Sequence, residues 1–408
     1  MERKVRTGRL KKGMYVSNLD RPWLDTPFLI QGFYITDPED LKALNKYCDY
    51  VYIDTDRGPG ADIYWDDGIS LPTNEYLERF LRNKKREVEY VDEHEVSVEI
   101  PKAHAVLEAA LDDFSKLIEH IEKGKRLDVK LMRSLLEPLI ESVLRNPDAL
   151  LWLSQLREKD DVDHAQAVDR CIIAIAFARY MGLPKDDIYN LSVGILLFDI
   201  GILNTREELL SKKSRLTDDE FQEIQKHVDD GVDYLRLFDD IHEDSINTVL
   251  THHERYDGSG YPNKLSGMQI PVYGRIAGMI DCYQAMTSRR AYSDAISAHL
   301  ALQKIYNWRN VYFQDELVEQ FLRCLGVYPT GSLVEMKSGQ VGIVLSQNRE
   351  RHIKPKVMLL LDNEKQAYRD FKVVDLATSA AANDGKTLEI LRGLDPGAYG
   401  IEPSDFYM

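Results

Sequence analysis

The sequence predicts a mainly α chain, with a small α+β unit at its N-terminus and a small β module near its C-terminus. Three observations carry that reading. Leu107, Leu111, Phe114, Leu117, Ile118 and Ile121 recur at spacings of three and four, which lays one apolar stripe along a helix. After Gly326 the apolar period becomes two, in 332–335, 341–345 and 357–361, as half-buried strands require. Ahead of residue 56, strand-like segments surround one short helical stretch. With 408 residues the chain is too long for one ordinary core, so several domains are expected.

Composition limits the function. Apolar residues make up 44% and charged residues 29%, which permits a buried core and excludes wholesale disorder. The 52 Lys and Arg against 68 Asp and Glu leave a formal charge of −16, which argues against a protein that coats long nucleic acid. An anion site must then be built from metals or a few placed arginines. Cys48, Cys171, Cys282 and Cys324 form no CxxC pair, so they read as reduced thiols rather than a zinc or disulfide framework. The basic N-terminus has no apolar segment behind it, and the most apolar stretch, 191–203, is short and contains Asp199. No membrane span is expected, and the expected location is the cytoplasm.

In chain order, 5–19 and 28–35 have strand-like apolar content. Asp37 and Pro38 open a helix running to about Tyr47, and 50–53 returns as a strand. Gly, Pro and Asp dominate 56–74, an exposed linker. The striped helix ends at Gly124. A second helix starts near Asp128, meets a kink at Pro138 and stops before Asn146-Pro147, giving an antiparallel hairpin. At least five further helices are expected over 148–326, one opened by the capping box of Thr217 and Glu220 and carrying His227. Gly339 and Asn348 suit turns of the β module, and the tail after Ala377 shows no period.

Asp199 interrupts the apolar run 194–201, and Asp281 interrupts 276–282. A carboxylate on a buried apolar helix costs several kcal/mol unless a cation or a set of donors meets it. His164 opens a helix, His227 follows the capping box, and His252 and His253 are adjacent at a helix end. Any one of these residues alone is ordinarily structural. Four imidazoles and two carboxylates bracketing one helical region are instead what a mononuclear or dinuclear metal site in a bundle requires. The run Gly258-Ser259-Gly260-Tyr261-Pro262 cannot be helical and forms a shaped loop beside the His pair.

The string HHERYDGSGYP, followed by Ile270-Pro271, Arg275-Ile276, Asp281 and Thr287-Ser288-Arg289-Arg290-Ala291-Tyr292, resembles the HD-GYP family, a cyclic di-GMP-hydrolysing branch of the HD metal-dependent phosphohydrolases. The resemblance implies an HD-type helical bundle. The N-terminal text, from GMYVSNLDRP to DYVYIDTDRG, resembles the domain of unassigned function that often precedes such modules. The implied layout is an N-terminal domain at 1–56, a linker at 57–75, a helical hairpin at 76–147, the HD-GYP domain at 148–328, the β module at 329–377 and a tail at 378–408.

Carried over residue by residue, the family's metal ligands fall on His164, Asp199, His227, His252, His253 and Asp281, with Asp160 at the position of an extra carboxylate. Asp199, His227 and Asp281 would serve catalysis. Gly260, Tyr261 and Pro262 match the GYP signature, and Arg290 matches an arginine near the substrate phosphates. The resemblance implies one or two divalent transition metal ions per chain, Fe or Mn, with Zn and Ni compatible with the donors. A metal-bound hydroxide would cleave cyclic di-GMP to pGpG and GMP.

Two departures weaken that expectation. Phe198 stands where the family's His-Asp doublet has its histidine, and Ile202 stands where it has a lysine. One ligand and one charge partner are gone, so activity is expected to be impaired. The alternative is a degenerate module that binds cyclic di-GMP, or a diguanylate cyclase through its GYP loop, as a sensor or adaptor. A homodimer is also compatible with the resemblance.

Overall fold

The computed structural model describes residues 2–10, 12–21, 33–35, 38–54, 74–83, 86–157, 163–210, 212, 216–288, 295–349, 351, 353–378, 388–401 and 406. The strand content expected at 28–32, most of the linker, Asp160 and Arg290 lie outside the described residues. Two compact units divide the chain: Met1–Leu71 with Ser266–Gln269, and Pro72–Leu265 with Ile270–Met408.

In the first unit, β1 (Glu2–Arg6), β2 (Tyr15–Leu19), β3 (Phe33–Tyr34) and β4 (Tyr50–Asp54) form an antiparallel sheet of order β1-β4-β2-β3, with α1 (Pro38–Tyr47) before β4. Val51 and Ile53 alternate into the core of this unit with Val16, Leu44 and Met14. The apolar stretch 5–19 is not one strand. The chain turns after Arg6 through a short 3-10 turn, Thr7–Arg9, where the Thr7 hydroxyl donates to the Cys48 carbonyl at 3.1 Å. It reverses at Gly13, whose φ of 97° suits glycine.

The second unit is the helical body. α2 (Glu75–Asn83) precedes the hairpin of α3 (Val96–Glu122) and α4 (Val129–Arg145). Gly124, at φ 71°, follows the end of α3, and the Asp128 carboxylate caps α4 by accepting from the amides of Lys130 and Leu131. Pro138 lies inside α4, whose helical run continues to Arg145. α5 (Pro147–Leu156) follows at once, capped by Asn146 with proline in its first turn.

α6 (Asp163–Met181) is the central helix. Every residue from Val168 to Ala178 is buried, so it is apolar nearly all round and other helices pack on every side. α7 (Lys185–Leu197) packs on α6, and α8 (Glu207–Leu210), α9 (Asp218–Gln225), α10 (His227–Leu235), α11 (Glu243–Thr251), α12 (Val272–Thr287), α13 (Ala298–Asn307) and α14 (Asp315–Leu325) follow.

The C-terminal module is a five-stranded antiparallel sheet of order β8-β7-β6-β5-β9, made by β5 (Leu333–Met336), β6 (Val341–Ser346), β7 (Lys356–Leu361), β8 (Ala367–Asp375) and β9 (Ile390–Gly393). β9 comes from the stretch where the sequence shows no period. It is an edge strand with little burial, so tertiary pairing with β5, and no alternation of its own, makes it a strand. The module is fixed to the helical body by Asp148, whose carboxylate accepts from the Thr330 hydroxyl at 2.8 Å and from Arg349 at 2.7 Å. Among the described residues no helix is long and apolar enough to cross a membrane.

Candidate metal centre

The ends of three helices and one corner build the site. α7 stops at Leu197, Phe198 is its last αR residue, and Asp199 opens a 3-10 turn, Ile200–Asn204. The sequence places Asp199 inside an apolar helix. The structure places it at the corner where that helix ends, and this frees its carboxylate to point across the bundle. Gly201 makes the corner possible, because a Cβ there would collide with the carbonyl of His227.

His227 is likewise not carried by the helix that the capping box opens. The box is present at Thr217 and Glu220, but α9 closes at Gln225, and His227 is the first residue of α10. At this terminus its Nδ1–H donates back to the Ile224 carbonyl at 2.7 Å. His252 is the C-cap of α11, and its Nδ1–H donates to the Val249 carbonyl at 2.7 Å. These two bonds fix both tautomers with the Nε2 lone pairs turned inward. The two Nε2 atoms are 3.5 Å apart and lie 3.7 and 3.8 Å from Oδ1 of Asp199.

His253 completes the group: Asp199, His227, His252 and His253 each offer a ligand atom, all within 4.8 Å of one another. Burial pushes His252 down to about 3 against the pull of Asp199, and burial with the neighbouring imidazoles holds His253 well below its ordinary value. Both rings are therefore neutral and can ligate. Burial raises Asp199, the Arg170 guanidinium at 2.8 Å pulls the other way, and the net direction is below its ordinary value. Neutral imidazoles facing one ionised carboxylate in a buried site fit a divalent transition ion.

The GYP loop lies against this group. The Tyr261 ring stacks on His253 with centroids 4.6 Å apart, and the Tyr261 amide donates to the His253 carbonyl at 3.3 Å. Gly260 is buried where a side chain would collide with the His253 backbone, and Pro262 follows Tyr261 through a cis bond. Glu254 pins the far side by accepting from the Asn263 amide at 2.7 Å, and burial raises its carboxyl to about 7.

Asp281, on α12, stands outside the four-ligand group. Its Oδ1 lies 3.3 Å from Nη1 of Arg170, whose Nη1 also reaches Oδ2 of Asp199 at 2.8 Å. Arg170, on α6, is the residue that sequence reasoning missed. It follows Asp169 at the head of the apolar stretch of α6 and carries no motif, and only the packing of α6 against α7 and α12 brings it to both carboxylates. Phe198 is fully buried and lies between two site residues. Its ring stacks on His252 at 4.4 Å with an interplanar angle of 9°, and the Arg170 guanidinium lies 4.4 Å from the same ring. Ile202 is half-buried in the 3-10 turn. The backbone of His164 lies in the first turn of α6, while its side chain, with Asp160 and Arg290, is outside the described residues.

This bundle with its His/Asp group is an HD-type domain, and the HD domain model matches residues 153–317. A domain of unknown function, DUF3391, matches residues 2–132. An HD domain thus follows a DUF3391 domain in this chain.

Its relatives include the cyclic di-GMP phosphodiesterase PA4108 of Pseudomonas aeruginosa, 29% identical over 92% of this chain and 89% of that protein. The cyclic di-GMP phosphodiesterase response regulator RpfG of Xanthomonas campestris is 29% identical over 53% of this chain and 58% of that protein. The 3'3'-cGAMP-specific phosphodiesterase 2 of Vibrio cholerae is 29% identical over 48% of this chain and 36% of that protein.

Proposed function

We propose that this chain hydrolyses a cyclic dinucleotide, cyclic di-GMP foremost, at a divalent-metal site made by Asp199, His227, His252 and His253. The convergence of these four ligand atoms within 4.8 Å, beside a loop with the GYP signature, carries the proposal. The names of the relatives support the substrate class. A divalent ion there would supply Lewis acidity and lower the pKa of a water. Fe or Mn suits the mixed imidazole and carboxylate donors.

The chain's own residues do the rest. The backbone carbonyls of Ile224 and Val249 hold His227 and His252 in ligating tautomers. Arg170 holds the Asp199 carboxylate in place from the side away from the imidazoles. The stacked Tyr261, with Gly260 and Pro262, gives one wall of the opening for a nucleotide. Arg290 is assigned a phosphate contact and Asp281 a supporting role through Arg170. Residues 148–328 are assigned as the catalytic domain.

A second reading rests on Phe198 and Ile202, which cannot supply the ligand and charge that the family pattern has there. In it the module binds cyclic di-GMP, or docks a diguanylate cyclase through its GYP loop, without turnover. One experiment separates the two. The full chain is purified anaerobically with Mn or Fe, its metal content is measured, and cyclic di-GMP is followed by chromatography with 3'3'-cGAMP in parallel. Appearance of pGpG or GMP supports hydrolysis. Metallated protein that binds cyclic di-GMP in calorimetry and leaves it intact replaces hydrolysis by sensing, and metallated protein that neither binds nor cleaves either dinucleotide refutes both.

A further inference from the structure

We infer that Arg170 is a built-in cation that takes the place of a second metal ion, so that this centre holds a single ion, on Asp199, His227, His252 and His253. The inference rests on the reading above that these four residues hold a divalent ion, and it concerns how many ions the site takes.

Three observations carry it. The first is position. One guanidinium nitrogen of Arg170 meets both Asp199, at 2.8 Å, and Asp281, at 3.3 Å, so it bridges the two carboxylates that the family pattern gives to metal. The second is support. The guanidinium rests on the Phe198 ring, which is itself stacked on His252. A histidine here would offer a lone pair; phenylalanine offers a π face, which holds a cation without ligating one. Phe198 and Arg170 thus work as a pair, the ring that replaced a ligand forming the platform for the charge that replaced an ion.

The third is charge. Among the described residues in this set, Asp199 and Asp281 carry two negative charges, which one divalent ion balances, and Arg170 adds a fixed positive charge between them. A second divalent ion would have to sit beside that fixed guanidinium in a buried site, and desolvation and like-charge repulsion oppose that strongly.

It follows that restoring the two lost family residues is not enough. Phe198→His with Ile202→Lys leaves the Asp281 carboxylate against Arg170, and the count stays at one. The second ion enters only when Arg170 is also removed.

The test is the number of ions per folded chain, by elemental analysis and Mn2+ titration, with electron paramagnetic resonance to tell an isolated Mn2+ from a coupled pair. Wild type, Phe198→His, Arg170→Gln and the double variant are compared, each checked for folding by circular dichroism. The expected results are one isolated Mn2+ in wild type and in Phe198→His, and about two coupled ions in the double variant. The second dissociation constant of the double variant should be at least about tenfold below that of Phe198→His. A coupled pair in wild type overturns the inference and leaves the proposed hydrolysis standing. A folded double variant that still takes one ion overturns it as well. If neither Arg170 variant folds, wild type alone decides between an isolated and a coupled signal. A wild type that binds no ion refutes the metal reading beneath both.

Discussion

Glu99, in the α3–α4 hairpin, and Asp199, at the end of α7, are both carboxylates paired with an arginine inside the same helical body, yet their surroundings differ in kind. Glu99 accepts from Ser142 at 2.9 Å, from Arg145 through both Nε and Nη2, and lies 3.0 Å from Nδ1 of His94. Burial raises it, and the bonds from Arg145, His94 and Ser142 outweigh burial and hold it below its ordinary value. Asp199 has Arg170 on one oxygen, while its other oxygen faces two imidazole Nε2 atoms at 3.7 and 3.8 Å, too far for hydrogen bonds. Nε of Arg170 is buried with no hydrogen-bond partner among the described residues. A buried charge whose donors saturate it holds a fold together. One whose acceptors converge on a common point across open distances is arranged for something that is not part of the chain.

The sharpest way to break this comparison is His252→Ala. It removes an inward-facing lone pair, and metal affinity in the full chain should fall by about 100-fold or more, read by titration against a chelator. An unchanged affinity would place the ion elsewhere. Glu99→Ala is the counterpart. It should cost about 3 kcal/mol in urea unfolding, because it strips Arg145 and Ser142 of their acceptor, while the metal bound per folded chain stays the same. Loss of metal in that variant would tie the two carboxylates together and undo the distinction.

Acid sharpens the contrast. The folded Glu99 pKa lies below its ordinary value of 4.5, so its contribution to stability is complete above that value and is lost as pH falls through the lower folded pKa. Glu99→Gln should therefore flatten the acid arm of the stability curve, measured by chemical denaturation at stepped pH. An acid arm as steep as that of wild type would mean that other carboxylates carry it. The smallest effect is expected of Phe198→Leu, about 1.5 kcal/mol from lost volume and stacking, with a weaker hold on Arg170. A larger loss would mean that the Arg170–Phe198–His252 stack also supports the bundle.

The sequence by itself determined the class of the fold and singled out the four residues whose side chains converge at the candidate site. The stripe from Leu107 to Ile121, the cap at Asp128 and the Thr217–Glu220 box are local patterns, and local patterns survive into structure because each is satisfied within a few residues. His227, His252, His253 and Asp199 could be singled out for the same reason: each breaks a local expectation. Tertiary structure alone decided what those residues do together. It ended α7 at Leu197 and turned Asp199 across the bundle, it started a new helix at His227, and it recruited β9 from a stretch with no period. Above all it brought Arg170, on a largely apolar buried helix, against Asp199 twenty-nine positions later and Asp281 on α12. No spacing rule reaches across such a separation, because the contact depends on how three helices pack and not on the period of any one of them.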